Sequence, residues 1–298
     1  MVNTLPERAT NRIACVLRPQ IAPEQLAAAA RTADTVGVAE LWLWEDCFLH
    51  GGLSAAAIAL SSTQRITVGI GVLPVPLRNV AATAMEIATL ARAFPGRLRV
   101  GVGHGVQEWM NQVGAKVDSP MTLLREYLTC LRALLDGHTV SFAGRYLNLQ
   151  NVTLDWPPAT RLELLCAAGG PKTLQLSGEL ADGTILSSGT SPESVARSIE
   201  LIDRGRPQSV ARSRHSLITY LICVTGTDAA ATLAREKQHW GYPLEADVGV
   251  FGDASRIAHG VQRWLSAGAT TIALQPRAQC DIHDFLTTIG TEVVPRLG

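Results

Sequence analysis

The run Arg65-Ile66-Thr67-Val68-Gly69-Ile70-Gly71-Val72 is followed by a helical segment, Val80 to Phe94, and then by Leu98-Arg99-Val100-Gly101-Val102-Gly103. The outer runs are short and β-rich, and the segment between them is Ala- and Leu-rich with a 3.6-residue apolar period, so this stretch reads as strand, helix, strand. β-rich runs occur at eight places: Ile13 to Leu17, Ala39 to Trp44, Ile66 to Val72, Leu98 to Gly103, Leu162 to Ala168, Gly183 to Ser187, Ser216 to Val224 and Thr271 to Gln275. Helical periodicity marks Pro23 to Val36 and Pro120 to Leu135 as well. Eight such units predict an α/β fold, a closed parallel (β/α)8 or TIM barrel.

Punctuation between the runs agrees with that reading. Ala22-Pro23-Glu24 and Ser191-Pro192-Glu193 put Pro and an acid in a first helical turn, and Gly37 is a C-cap candidate. Thr139 to Leu154 breaks the rhythm and predicts a β-hairpin insertion between helix 4 and strand 5. Pro207 to Arg214 reads as a polar linker, and Gly241 to Asp253 as a long, weakly patterned loop.

The 298 residues suit one large domain, 1–298, since barrels of this type commonly run to about 250 residues or more. Hydrophobic residues make up 47% and charged ones 17%, the balance of a compact enzyme. Lys plus Arg and Asp plus Glu stand at 26 each, so no net field draws nucleic acid or acidic lipid, and neither partner is expected. No apolar stretch is long enough to span a membrane. Met1 to Asn11 lacks the apolar core of a secretory signal, and the six scattered cysteines show neither CxxC nor zinc-finger spacing. A cytoplasmic protein with reduced thiols and no metal site is the expectation.

In such a barrel the active site lies beyond the C-terminal ends of the strands. Residues there are Glu45-Asp46-Cys47, Gly69 to Pro74, Gly103-His104-Gly105, Ala168-Gly169-Gly170-Pro171-Lys172 and Gln275-Pro276-Arg277. Their glycines suggest close approach of backbone to a flat or phosphorylated ligand. Gly169-Gly170 leading into a helix with Pro171 at its first position leaves free N–H groups and a dipole aimed at the mouth, which together form an anion site. Lys172 either adds charge to a phosphate or is merely solvated. Asp46 is a mouth carboxylate or a loop cap, and Cys47 an inert thiol or a ligand contact. His104, between two glycines, suits proton transfer, anion binding or a loop hydrogen bond. Trp109 either packs under its loop or walls an aromatic ligand.

These motifs resemble the luciferase-like monooxygenase superfamily, most closely its coenzyme F420-dependent branch. The resemblance covers nearly the whole chain. It is carried by Ala39 to Asp46, Arg65 to Asn79, Gly96-Arg97-Leu98-Arg99-Val100-Gly101-Val102-Gly103-His104-Gly105, and Gly170 to Leu174 followed by Gly178 to Gly183. It implies coenzyme F420, or alternatively FMN, lying across the barrel mouth with a non-prolyl cis peptide at Gly71-Val72 behind its ring. It further implies that Gly169 and Gly170 hold the phosphate and that Asp46 lies near the ring's polar edge. Gly103, His104, Gly105, Ala168 and Lys172 complete the cofactor set, and Cys47 and Trp109 face the substrate.

Two departures stand out. Sugar-phosphate dehydrogenases of this branch carry a His directly after the strand-two acid and a Glu directly after the strand-four glycines, where this chain has Cys47 and Val106. His104 and Glu108 are the nearest replacements as catalytic residues, and a sugar phosphate is disfavoured as substrate. The expected activity is hydride transfer between coenzyme F420 and a small organic molecule. An FMN-dependent monooxygenase and a non-catalytic flavin or deazaflavin carrier are the alternatives. A barrel aldolase is disfavoured because Lys172 is the only strand-end lysine. Leu53 to Ser62 and Val80 to Phe94 offer small-residue surfaces for a homodimer, as the resemblance also implies.

Overall fold

Why the strands close on themselves is visible in what they bury. The computed structural model describes residues 12–207 and 214–297. The polar N-terminal stretch and residues 208–213 of the linker lie outside the described residues. In chain order the strands are β1 (Arg12–Val16), β2 (Glu40–Leu43), β3 (Thr67–Pro74), β4 (Leu98–Gly103), the pair β5 (Val140–Ala143) and β6 (Asn148–Val152), then β7 (Leu164–Ala167), β8 (Gly183–Leu186), β9 (Ser216–Thr225), β10 (Gly249–Gly252) and β11 (Thr271–Gln275). The pairing runs β1-β2-β3-β4-β7-β8-β9-β11 and returns to β1, every ladder parallel. That is the predicted eight-stranded barrel, and β5–β6 is the predicted antiparallel hairpin.

Ten helices alternate with these strands among the described residues: α1 (Leu26–Thr35), α2 (Gly52–Ser61), α3 (Val80–Ala93), α4 (Gln107–Gln112), α5 (Pro120–Leu135), α6 (Pro171–Leu180), α7 (Pro192–Gly205), α8 (Ala229–His239), α9 (Ala254–Ser266) and α10 (Ile282–Thr288). Asn79 and Ser191 cap α3 and α7 with side-chain oxygens, satisfying N–H groups that the first helical turn leaves free. Gly37 follows α1 at φ +82°, a left-handed conformation that glycine adopts without penalty. The segment read as a loop over 241–253 instead contains β10, which pairs with Ile222 to Thr225 of β9. That upper half of β9 extends past the barrel ladders, so its backbone groups require another partner.

Side-chain alternation separates two cores. Leu41, Val68, Val100 and Leu274 face outward into the layer beneath the helices. Ala14, Val16, Trp42, Leu165, Ile185, Ile218, Tyr220 and Ala273 fill the barrel itself. Gly69 and Gly101 face inward as well, and a Cβ at either would meet Trp42 or Ile185, so glycine there makes room for the large rings. Below them lies a buried charge cluster. Fully buried Glu40 accepts from Arg12 at 2.8 Å, Arg99 at 2.9 Å and Trp42 Nε1 at 3.1 Å, while Arg99 reaches Glu163 at 2.6 Å and lies 5.2 Å from the Trp42 ring. The barrel is thus plugged at one end by ion pairs and aromatic rings, and its other end forms the site.

Candidate active site

Several barrel strands deliver residues to the C-terminal mouth. From β3 come Gly71 and Val72, joined by a cis peptide at the bond expected from the sequence, and a second non-prolyl cis peptide joins Cys47 to Phe48. The register of β3 against β4 shifts between Ile70 and Leu73, which forms a bulge. Tyr220 of β9 donates its hydroxyl to the Gly71 carbonyl at 3.2 Å, and its ring meets Trp42 and Trp44 at centroid distances of 6.1 and 5.9 Å. Burial pushes its phenol pKa up, so the hydroxyl stays a neutral donor. Val72 packs on this aromatic floor. Gly71 and Gly103 both lack a side chain where Tyr220, Ile185 or Val72 already fills the space.

The β7–α6 junction has a different character. A Cβ built at Gly169 or Gly170 would meet nothing within 4 Å. Gly170 caps α6 with no side-chain hydrogen bond, and Pro171 has no N–H, so the N–H groups of Lys172 and Thr173 are the orphan donors of that first turn. Ala168 is buried behind the glycines, and Lys172 is exposed. His104, at the end of β4, places Nε2 3.3 Å from the Thr173 hydroxyl and so ties β4 to the start of α6. Burial lowers its pKa, which keeps the ring neutral near pH 7. Gly105 turns the chain at φ +70° toward α4. Glu108 stands exposed in the first turn of α4, with Trp109 half-buried next to it.

Asp46 and Cys47 follow β2. The Asp46 pKa is raised, chiefly by burial, against a hydrogen bond from Trp44 and the charge of Arg18. Burial and the neighbouring carboxylates of Glu45 and Asp46 raise the Cys47 pKa, the opposite of an activated thiol. Glu45 itself points away, accepting from Gly52 N at 2.7 Å and from Arg78 at 2.5 Å.

Sequence reading missed Arg18, Tyr220, Glu236 and Trp240. Arg18 lies two residues beyond inward-facing Val16, so strand alternation alone would have placed it at the mouth. It is 6% exposed, donates to Gln20 and to the Pro276 carbonyl at 3.2 Å each, lies 3.6 Å from Glu236 and sits 5.5 Å from the Trp240 ring. Tyr242 donates to the Ser188 carbonyl at 2.5 Å. Residues 236–242, the last turn of α8 and the residues that follow it, therefore bridge from the end of β1 to the end of β8.

The geometry can be set beside known proteins. The family model for luciferase-like monooxygenase matches residues 8–292. The F420-dependent glucose-6-phosphate dehydrogenase of Kineococcus radiotolerans is 26% identical, with 93% of this chain and 94% of that one aligned. The 5,10-methylenetetrahydromethanopterin reductase of Methanolobus tindarius is 27% identical over 53% of this chain and 48% of its own. Among solved structures, an F420-dependent secondary alcohol dehydrogenase in complex with an F420-acetone adduct superposes with TM-score 0.85 and 18% identity, covering 97% of this chain and 100% of that one. The coenzyme F420-dependent tetrahydromethanopterin reductase of Methanopyrus kandleri superposes with TM-score 0.83, 18% identity and the same coverages. The structural likeness speaks for the barrel, and the family match over almost the full length decides membership: the chain belongs to the luciferase-like monooxygenase family.

Proposed function

We propose that this chain is a coenzyme F420-dependent oxidoreductase acting on a small organic substrate. The observation that carries this reading is the pairing of an open, uncapped α6 N-terminus at Gly169-Gly170 with an apolar floor of Val72 over Tyr220. The donor set suits an anionic, flat-ringed cofactor. The N–H groups of Lys172 and Thr173 would hold its phosphate, with Gly103, His104, Gly105 and Ala168 around them. Gly71 and Val72 would back its ring. The names of the curated relatives favour F420 over FMN. When bound, that group supplies a hydride donor or acceptor, and the chain supplies position and electrostatics.

The residues divide that work. Tyr220 holds the Gly71 carbonyl and so fixes the bulge. His104, neutral and tied to Thr173, orients the start of α6. Asp46, whose pKa burial raises and the charge of Arg18 lowers, is the carboxyl placed at the mouth for proton transfer. Glu108 stands exposed in the first turn of α4, at the rim of the mouth. Cys47 and Trp109 flank the substrate side.

Phe48 and Leu49 before α2, Ile58 on α2 and Met85 on α3 are exposed apolar residues at 66, 50, 37 and 60%. They support a homodimer formed through these early helices. No helix among the described residues is long and apolar enough to cross a membrane. Thiols of Cys15, Cys166 and Cys223, whose pKa values burial raises, suit the reducing cytoplasm. The deciding experiment is fluorescence titration of the purified protein with F420 and with FMN, followed by anaerobic turnover of a ketone and alcohol panel with whichever binds. Binding of neither refutes the reading, and tight FMN binding without F420 binding replaces it with the monooxygenase alternative.

A further inference from the structure

Three buried polar atoms without a hydrogen-bond partner gather around Arg18: Gln275 Nε2, Trp240 Nε1 and Glu236 Oε2. Their grouping follows from contacts already described. Glu236 lies 3.6 Å from the Arg18 guanidinium, the Trp240 ring lies beneath that guanidinium, and Gln275 immediately precedes Pro276, whose carbonyl Arg18 holds. Gln275 is 2% exposed, and it alternates with inward-facing Ala273, so its carboxamide points into the barrel mouth. Arg18 commits two of the five N–H donors of a guanidinium to Gln20 and Pro276.

Buried polar groups are ordinarily paired, so two unpartnered N–H groups, on Gln275 and Trp240, beside a Glu236 oxygen held only by its 3.6 Å ion pair with Arg18, call for a ligand or an ordered water. The charge there selects among ligands. Within the buried corner the single charge of Arg18 faces the carboxylates of both Glu236 and Asp46, and Arg277 stands exposed outside it, so the corner itself offers no excess positive charge to a phosphate or carboxylate. The groups on offer are N–H donors from Gln275 and Trp240 and an acceptor oxygen on Glu236. They match a molecule with one oxygen that accepts and one hydroxyl that donates.

We propose that this corner is the substrate-recognition site and that it takes uncharged hydroxylated carbonyl compounds or the corresponding alcohols. The inference rests on the oxidoreductase reading and adds the substrate class to it. Gln275 and Trp240 donate to the carbonyl or hydroxyl oxygen, and Glu236, held by Arg18, accepts from a second hydroxyl.

The test uses binding and stability together. Dihydroxyacetone, its phosphate ester and acetone are titrated by calorimetry into the wild type, Gln275→Leu and Glu236→Gln, with F420 affinity measured separately by fluorescence. The wild type is expected to bind dihydroxyacetone about tenfold or more tightly than acetone, with no gain for the phosphate ester. Both variants should lose that preference while F420 affinity stays within about threefold. Gln275→Leu should also raise Tm by about 2 °C, because it removes an unpartnered buried amide. The proposal is overturned if the wild type shows no hydroxyl preference or no measurable binding, if the phosphate ester binds best, or if Gln275→Leu lowers Tm, as loss of an amide satisfied by structural water would. Failure of F420 to bind strikes the cofactor reading alone, since the hydroxyl preference is read without it.

Discussion

Replacing Gly170 by Val separates cofactor binding from folding. Gly170 has φ −92° and ψ 155°, extended backbone that a β-branched residue adopts readily, and nothing lies within 4 Å of its built Cβ. Stability should therefore hold or rise by about 0.5 kcal/mol, since Val restricts the unfolded chain more than Gly does. Binding should respond differently. A side chain there enters the space in front of the Lys172 and Thr173 N–H groups, and losing one hydrogen bond to a charged phosphate costs about 1.5–3 kcal/mol. That corresponds to roughly 10- to 100-fold in Kd. Lys172 is exposed, so Lys172→Ala should cost at most about 1 kcal/mol, and less as salt rises. The assay is F420 fluorescence titration of the three proteins at low and high salt, with thermal melts alongside. Wild-type affinity in Gly170→Val, or a larger loss in Lys172→Ala than in Gly170→Val, would falsify the anion cradle.

Three further outcomes test the surroundings. Glu40→Gln keeps the shape of a fully buried residue but leaves Arg99 with only Glu163 as a counter-charge, so about 3 kcal/mol should be lost and Tm should fall by roughly 5 °C; a melt within 1 °C or so of wild type would contradict the buried cluster. The His215 pKa is pushed down to about 4, chiefly by burial, with Nε2 2.8 Å from the Thr184 hydroxyl. The folded ring stays neutral while the unfolded chain takes up a proton below about pH 6.5, so stability is complete above that pH and falls by up to ~3 kcal/mol toward pH 4. Denaturant midpoints should show less of this slope in His215→Gln, and an unchanged slope counts against the assignment. Cys47→Ala should retain turnover within about tenfold, because burial and two carboxylates raise the thiol's pKa; complete inactivation with intact F420 binding would mark Cys47 as essential to the chemistry.

What was legible in the chain follows from the range of each signal. Strands such as Thr67–Pro74 and helices such as Val80–Ala93 were readable because their apolar periods are local and strong. β10 was not, because Gly249–Gly252 has two glycines in four residues and is a strand only through the unpaired upper half of β9. Strand-end glycines were readable as places lacking a Cβ but not for what fills the space. At Gly71 and Gly103 it is the chain's own Tyr220, Ile185, Val72 and Ala167, whereas a Cβ at Gly169 or Gly170 would meet no atom of the described residues within 4 Å. A missing side chain has the same appearance in sequence whether it admits a ring from across the barrel or a ligand from outside. The same limit hid Arg18, whose partners Glu236 and Pro276 lie more than two hundred residues away. Alternation would assign its direction, but only closure of the barrel between β1 and β11 brings those partners beside it. Local periodicity therefore specifies which residues reach the mouth, and barrel closure determines which of them meet there and which polar atoms are left without partners.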